Sequence, residues 1–225
     1  MNRIGITTAA ERSPRVEAIF TAAGLRPVRL PCVRIEAVPA RVIDEMRRKA
    51  ERADLVVLTS VTALNLLWGE HAPAAPVAAV GSATAAAVTE RGGRVSLVGS
   101  STGLALAAEI DAPGRWVVFP HAQGTDPETL RLLASKVGNL DAAPVYRTVP
   151  IPPQGDSVDA VAFGSPSAVR GWVLARSLAG PVVGAIGSRT AGQVESLGGT
   201  VDVMPEVPRF DLLAQALSAR LEVHI

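Results

Sequence analysis

The feature that most constrains this chain is a long-period repeat. Asp54-Leu-Val-Val-Leu-Thr-Ser60-Val-Thr-Ala63 matches Asp159-Ala-Val-Ala-Phe-Gly-Ser165-Pro-Ser-Ala168 at an offset of 105 residues. Val77-Ala-Ala-Val-Gly81-Ser82-Ala83-Thr84-Ala85 matches Val183-Gly-Ala-Ile-Gly187-Ser188-Arg189-Thr190-Ala191 at 106, and Gly92-Gly93-Arg94-Val95 matches Gly198-Gly199-Thr200-Val201 at the same offset. More weakly, Arg3-Ile-Gly-Ile-Thr-Thr8 resembles Arg115-Trp-Val-Val-Phe-Pro120. Agreement in order and spacing marks a duplicated unit, and two copies do not make a solenoid.

Each copy alternates short apolar β-rich runs, ending in Gly, Ser or Thr, with Ala/Leu stretches of helical period. Ser13-Pro14, Asp126-Pro127 and Ser165-Pro166 each offer an N-cap followed by proline at the first helical position, and Ser60, Ser82 and Ser188 offer caps without proline. Gly92-Gly93 and Gly198-Gly199 stop the helices that follow Ala83 and Arg189. Gly24 and Gly138 read as turns into a second strand of each copy. The fold class this predicts is α/β: two similar parallel-sheet α/β domains with helices on both faces. Two proline-bounded extended stretches, 30–39 and 143–153, break the alternation and suit edge strands or linkers. The chain is therefore expected to start in one domain, cross to a second and return. Residues 1–32 and 152–225 form a discontinuous first domain and 38–144 the second, joined by a two-stranded linker at about 33–37 and 145–151. The tail, 221–225, reads as a frayed end or a short added strand.

Composition narrows the function classes. With 22 basic and 21 acidic residues the net charge is +1, without the clustered excess of a nucleic-acid binder. At 48% hydrophobic the chain can build a core, and with four Phe, three Trp and one Tyr that core is aliphatic. The apolar runs are five to seven residues long, against about 20 for a membrane span, and no signal-peptide pattern opens the chain. One cysteine, Cys32, fits a reducing compartment, so a cytoplasmic protein is expected, with no nucleic-acid and no membrane partner. Cys32 reads as a small buried residue.

Ligands of parallel sheets bind outside the carboxyl ends of the strands. Ser60, Gly81-Ser82, Ser165 and Gly187-Ser188 fall there, each at a predicted helix start where backbone N–H groups and the dipole receive carboxylates or phosphates. Capping alone explains any one of these serines; their recurrence in both copies argues for a cleft between two domains. No metal-ligand spacing joins His71, His121 and His224, and no nucleophile elbow or phosphate loop occurs. His71 reads as a neutral loop residue and His224 as tail. His121, after a strand at 117–119, stands at a carboxyl end. Tyr146 lies at the predicted domain junction, either as a half-buried anchor or as a hydroxyl that moves a proton. Arg12, Arg147, Arg170 and Arg189 lie near strand ends or the junction.

The chain resembles the uroporphyrinogen-III synthase family. The resemblance rests on the Asp54 and Phe163-Gly-Ser165-Pro166-Ser167-Ala168 motifs, on Ala79-Val80-Gly81-Ser82-Ala83-Thr84 and Ala185-Ile186-Gly187-Ser188-Arg189-Thr190-Ala191, and on Val145-Tyr146-Arg147-Thr148. It implies two α/β domains joined by a two-stranded linker. It also implies a cofactor-free lyase, with no metal, that closes hydroxymethylbilane with loss of water and inversion of ring D. The implied partner is this small-molecule substrate, handed over by hydroxymethylbilane synthase to a monomer. By resemblance Tyr146 assists departure of the hydroxyl. Thr84 and Thr190 match Gly-x-x-Thr positions, and Ser60 and Ser165 match loop serines. Thr7, Thr8, Arg12, Gly81, Ser82, His121, Ser167, Gly187, Ser188 and Arg189 complete the implied substrate-binding set. Two departures remove cations: Thr7-Thr8 stands where the family often has Thr-Arg, and Phe119-Pro-His-Ala-Gln-Gly-Thr-Asp126 replaces an arginine-bearing loop. His121 and Arg12 are the nearest substitutes. The alternatives are a catalytically silent relative that binds a tetrapyrrole or other polyanion, and a two-domain binding protein of periplasmic type.

Overall fold

The computed structural model describes residues 2–99 and 102–222. In chain order the elements are β1 (Arg3–Ile6), a 3-10 turn (Ala10–Arg12), α1 (Ser13–Ala22), β2 (Arg26–Arg29), β3 (Val33–Ala37), α2 (Ala40–Ala50), β4 (Leu55–Leu58), α3 (Val61–Trp68), β5 (Val77–Val80) and α4 (Gly81–Glu90). There follow β6 (Val95–Gly99), α5 (Gly103–Glu109), β7 (Ala112–Ala122), α6 (Pro127–Lys136), β8 (Val137–Pro150), β9 (Ala160–Phe163), α7 (Pro166–Trp172), β10 (Val182–Ala185), α8 (Ser188–Ser196) and α9 (Phe210–Glu222). Contacts gather the chain into two units: Met1–Ile35 with Thr148–Ile225, and Glu36–Arg147.

Two sheets organise these units, with strand orders β10-β9-β1-β2 and β3-β8-β7-β4-β5-β6. The pairs β1–β2, β1–β9, β9–β10, β4–β5, β4–β7, β5–β6 and β7–β8 are all parallel. The duplication is visible here strand by strand: β10-β9-β1-β2 corresponds to β5-β4-β7-β8. The weak match of residues 3–8 to 115–120 therefore identified equivalent strands.

Strands covered by helices on both faces bury every residue, and the period of two sorts them. In β9, Ala160 and Ala162 join Ile4, Ile6, Phe20, Leu213 and Leu217 under α1 and α9. Val161 and Phe163 point the other way, onto Trp172, Val169 and Val194 of α7 and α8. In the larger sheet Leu55 and Val57 pack with Leu106, Phe119 and Leu133 under α5 and α6. The glycine stops act as expected: Gly92 and Gly198 both sit at φ 77°, and the Gly93 and Gly199 amides return to Val88 and Val194 at 3.0 Å.

Several local expectations are corrected. Ser13 does not cap α1. A 3-10 turn precedes it, Arg12 occupies the N-cap, and the buried Ser13 Oγ donates to Ala9 O at 3.2 Å. Ser82 and Ser188 lie inside the first turns of their helices, behind Val80 and Gly187, which carry no side-chain cap. Gly138 is not a turn. It lies within β8, where a Cβ would stand 2.5 Å from the Gly114 backbone, so the glycine permits close strand approach. The strand expected at 117–119 extends over Ala112–Ala122, because β8 pairs along most of its length. Of the tail, Leu221 and Glu222 belong to α9, while residues 223–225, His224 among them, lie outside the described residues.

Candidate functional site

Both sheets contain a point where the winding reverses. In the smaller sheet the chain moves outward from β1 to β2 and, on the other side, from β9 to β10. In the larger one it moves from β4 to β5 to β6 and from β7 to β8. The neighbours β1/β9 and β7/β4 are thus equivalent switch points, and open parallel sheets receive ligands outside the carboxyl ends there. One switch point presents Thr7-Thr8 and Gly164-Ser165, the other Thr59-Ser60 and the end of β7 with His121.

At the β4/β7 switch point a hydroxyl pair is built. Ser60 caps α3, its Oγ accepting the Ala63 amide at 3.2 Å, and the same Oγ lies 2.9 Å from Tyr146 Oη. A bulge in β8 brings the tyrosine there. His121 pairs with Pro144, but Ala122 pairs with Tyr146, so Val145 is the extra residue. It shifts the alternation by one and turns Tyr146 to the face it would otherwise leave. Val145 and Tyr146 are consequently both buried, although they are adjacent in a strand. The Tyr146 carbonyl accepts the Gln123 amide at 2.8 Å, tying β8 to the end of β7.

His121 is 6% exposed, with its ring 5.1 Å from that of Phe119. Nδ1 lies 2.8 Å from Ala122 O, which accepts only, so Nδ1 carries the proton and Nε2 the lone pair. Burial lowers its pKa, against a smaller upward effect of that hydrogen bond. Burial thus opposes the charge that its expected part as a substitute cation requires.

At the β1/β9 switch point the hydroxyls are mostly consumed by the fold. Thr7 is fully buried and donates to Ala162 O at 2.7 Å, stitching β1 to β9. Thr8 Oγ1 lies 3.4 Å from Ser13 Oγ. Their carbonyls are engaged as well, Thr7 O accepting the Cys32 amide at 3.1 Å and Thr8 O lying 3.5 Å from Ser13 Oγ. Ser165 caps α7 through the Ala168 amide at 3.3 Å, and Ser167 Oγ accepts from Arg170 at 2.9 Å. Arg170 is also held by Gln193, and Arg147 is paired with Glu36 at 2.6 Å, so neither is idle. Arg12 and Arg189 are exposed and, among the described residues, carry no ion pair. They are the cations left at the carboxyl ends of this sheet.

The helices α4 and α8 repeat one local arrangement in the two units. Each starts at a strand end without a side-chain cap, so its first N–H groups are not claimed by its own side chains. Gly81 begins α4 at φ 72°, which a residue with Cβ adopts only under strain. Gly187 precedes α8 in extended form, with Ser188 and Arg189 exposed beyond it. One turn in, Thr84 and Thr190 are 5% and 3% exposed. Among the described residues neither hydroxyl has a hydrogen-bond partner, and neither oxygen is cut off from solvent. Uncapped N–H groups beside an unpaired hydroxyl are chemically suited to hydrogen-bond a carboxylate.

Sequence reading missed three contributors. Thr129, in the first turn of α6, is 3% exposed, and its methyl lies 3.4 Å from where a Gly103 Cβ would stand, as does that of Thr59. The Asp126-Pro127 start already placed Thr129 in that turn. Phe210 comes within 2.7 Å of a Cβ built on Gly164, and Pro208 within 3.5 Å of one on Gly187, so 208–210 covers the strand ends of the smaller sheet. No local pattern signals that contact. Two shallow depressions of about 320 and 360 Å³, around Pro181–Asp202 residues such as Gly199 and around Trp116 with Arg48, lie at the amino ends of strands, away from these groups. Among the described residues no cluster of three or more His, Cys, Asp or Glu could hold a metal ion, and no helix is long and apolar enough to cross a membrane.

Comparison with known proteins matches this arrangement to one family. The model of uroporphyrinogen-III synthase HemD matches residues 15–215. No curated protein matches the chain. Among solved structures, a mutant uroporphyrinogen III synthase of the extremely thermophilic bacterium Thermus thermophilus is 20% identical with a TM-score of 0.64, covering 99% of this chain and 100% of that one. Uroporphyrinogen-III synthetase of Helicobacter pylori is 13% identical with a TM-score of 0.63, over 99% and 100%. The structures share the fold, and the family model spans most of the chain, including the β4/β7 switch point, Tyr146 and the α4 and α8 starts: the chain belongs to the uroporphyrinogen-III synthase family.

Proposed function

We propose that this chain converts hydroxymethylbilane to uroporphyrinogen III and water, inverting ring D, as a cofactor-independent lyase. It acts as a cytoplasmic monomer on substrate released by hydroxymethylbilane synthase. The observation that carries the reading is the family match over residues 15–215, which spans every candidate group described above except Thr7, Thr8 and Arg12.

The chemistry asks three things of these residues. The substrate bears eight carboxylates, and uncapped α4 and α8 with Thr84 and Thr190 offer N–H and O–H donors to some of them, aided by Arg12 and Arg189. Ring closure must favour the substituted carbon of ring D over the free position that gives the type I isomer spontaneously. Holding the reacting ends in place can supply about 7–11 kcal/mol of the barrier. Departure of the terminal hydroxyl needs a proton. Tyr146 Oη–H gives it to the leaving oxygen, the C–O bond breaks with electron release from the pyrrole nitrogen, and an electrophilic azafulvene remains. Ring D attacks to form a spirocyclic pyrrolenine. That intermediate rearranges and rearomatises, releasing the proton that restores Tyr146.

The test is product isomer analysis. Hydroxymethylbilane generated in place is incubated with the chain, the products are oxidised, and uroporphyrins I and III are separated. Predominant type III is expected; type I alone, at the spontaneous rate and with folded protein, overturns the reading.

A further inference from the structure

Ser60 and Ser165 occupy the same place in the two copies and cap their helices alike, accepting the Ala63 and Ala168 amides at 3.2 and 3.3 Å. Only Ser60 makes a further bond, to Tyr146 Oη at 2.9 Å. The cap therefore does not require the phenol. The direction of that bond decides what Tyr146 can do. A hydroxyl has one hydrogen and two lone pairs. If Tyr146 donates to Ser60, its hydrogen is spent inside the protein. If Ser60 donates, the phenol hydrogen is left for another acceptor.

We propose that Ser60 is a positioning residue that donates its hydrogen to Tyr146 Oη and so presents the phenol hydrogen to the substrate. This rests on the reading of Tyr146 as proton donor. The hydrogen bonds run in one sense, from Ala63 N–H to Ser60 Oγ, from Ser60 Oγ–H to Tyr146 Oη, and from Tyr146 Oη–H outward. Accepting the amide polarises the Ser60 hydroxyl as a donor, and accepting from Ser60 polarises the phenol in turn. The chain begins at the N-terminus of α3, whose dipole favours negative charge gathering at its far end on Oη. The β8 bulge at Val145 holds the ring in reach, and Tyr146, 7% exposed, has little freedom to turn away. Ser60 thus leaves the carboxylate-binding set: its lone pair serves the cap and its hydrogen serves the phenol.

The experiment uses three variants of the full chain. Ser60→Gly removes the oxygen while keeping a residue that starts helices well. It should lower kcat about tenfold, the weight of one hydrogen bond, with little change in KM or thermal midpoint. Ser60→Thr retains cap and donor and should return kcat towards the parent value. In a Tyr146→Phe background Ser60→Gly should have no further effect on kcat. A second readout needs no activity. Tyr146 is the sole tyrosine, so the tyrosine ring doublet in the Raman spectrum belongs to it alone and distinguishes an accepting from a donating phenol. The parent doublet should show an accepting oxygen, and Ser60→Gly should abolish that state. A parent phenol that donates without accepting, an unchanged doublet in Ser60→Gly, or an equal kcat loss with and without Tyr146 overturns the proposal. A parent that makes no type III isomer refutes the proposed function, while the doublet still decides the direction of this bond.

Discussion

Gly171 lies in α7, between Val169 and Trp172, where the helix meets the segments through which the chain leaves and rejoins its unit. A Cβ there would stand 1.9 Å from the Cys32 carbonyl oxygen and 2.8 Å from that of Ile151. Ordinary contact begins near 3.4 Å, so the Cys32 carbonyl must retreat by 3.4 − 1.9 = 1.5 Å. Neither atom is the end of a flexible side chain, and the two segments are bonded to each other, Ile151 N–H to Cys32 O at 2.9 Å. The helix must therefore move, and with it Trp172, which meets Phe163 edge-on at 5.8 Å. Overpacking costs about 1–3 kcal/mol and the strained aromatic pair about 0.5–1.5, against about 1 regained in helix propensity. Gly171→Ala should thus lose about 0.5–3.5 kcal/mol and lower the thermal midpoint by about 1–14 °C for a protein of this size. Gly192 supplies the control. It lies in α8 with nothing within 4 Å of its Cβ position, so Gly192→Ala should gain about 0.5–1 kcal/mol. Paired thermal melts by circular dichroism read both. A midpoint for Gly171→Ala at or above the parent would refute the reasoning, since the contact would then be soft.

The remaining predictions address titration, reactivity and catalysis. Because burial lowers the His121 pKa from 6.5, the unfolded chain binds this proton first, so His121 should cost stability as pH falls below about 6.5. Thermal midpoints of parent and His121→Gln should diverge from equality between about pH 7.5 and 5, and a constant difference would exclude the linkage. Asp141, lowered chiefly by its hydrogen bond from Lys49, contributes stability that is lost only below about pH 3.8, outside that window. The Cys32 thiol, fully buried and pushed up to about 12 by desolvation, should react with a disulfide reagent only after unfolding; stoichiometric labelling of native protein at pH 8 contradicts its placement. Tyr146→Phe should reduce kcat by about 10²–10⁴-fold, the range of general acid catalysis, with the fold retained by circular dichroism. An unchanged kcat removes the phenol from the chemistry.

How much of this was legible in the sequence depended on whether a feature was local. The Ser60 and Ser165 caps, the Gly92 and Gly198 stops and the matched Gly81 and Gly187 helix starts follow from residue type and spacing, and the structure has them. The duplication also yielded the equivalence of β1 with β7. What escaped depends on neighbours distant in sequence. Thr7 and Thr8 enter the binding set by resemblance, and only the fold shows that Ala162 and Ser13 engage their hydroxyls. His121 reads as a cation until its burial against Phe119 is known. The bulge at Val145 carries no motif, since it arises from the register of β8 on β7. Nor does 208–210 announce that it covers Gly164 and Gly187.

The central proposal is that each unit receives substrate carboxylates at the carboxyl ends of its own sheet, at equivalent positions of the duplication. Backbone amide resonances followed during titration with uroporphyrinogen III, kept reduced, test it most directly. The account predicts shifts at 60–63 and 81–84 and, equally, at 165–168 and 187–190. Shifts confined to one unit, or centred on the depressions near Trp116 and Gly199, would contradict it.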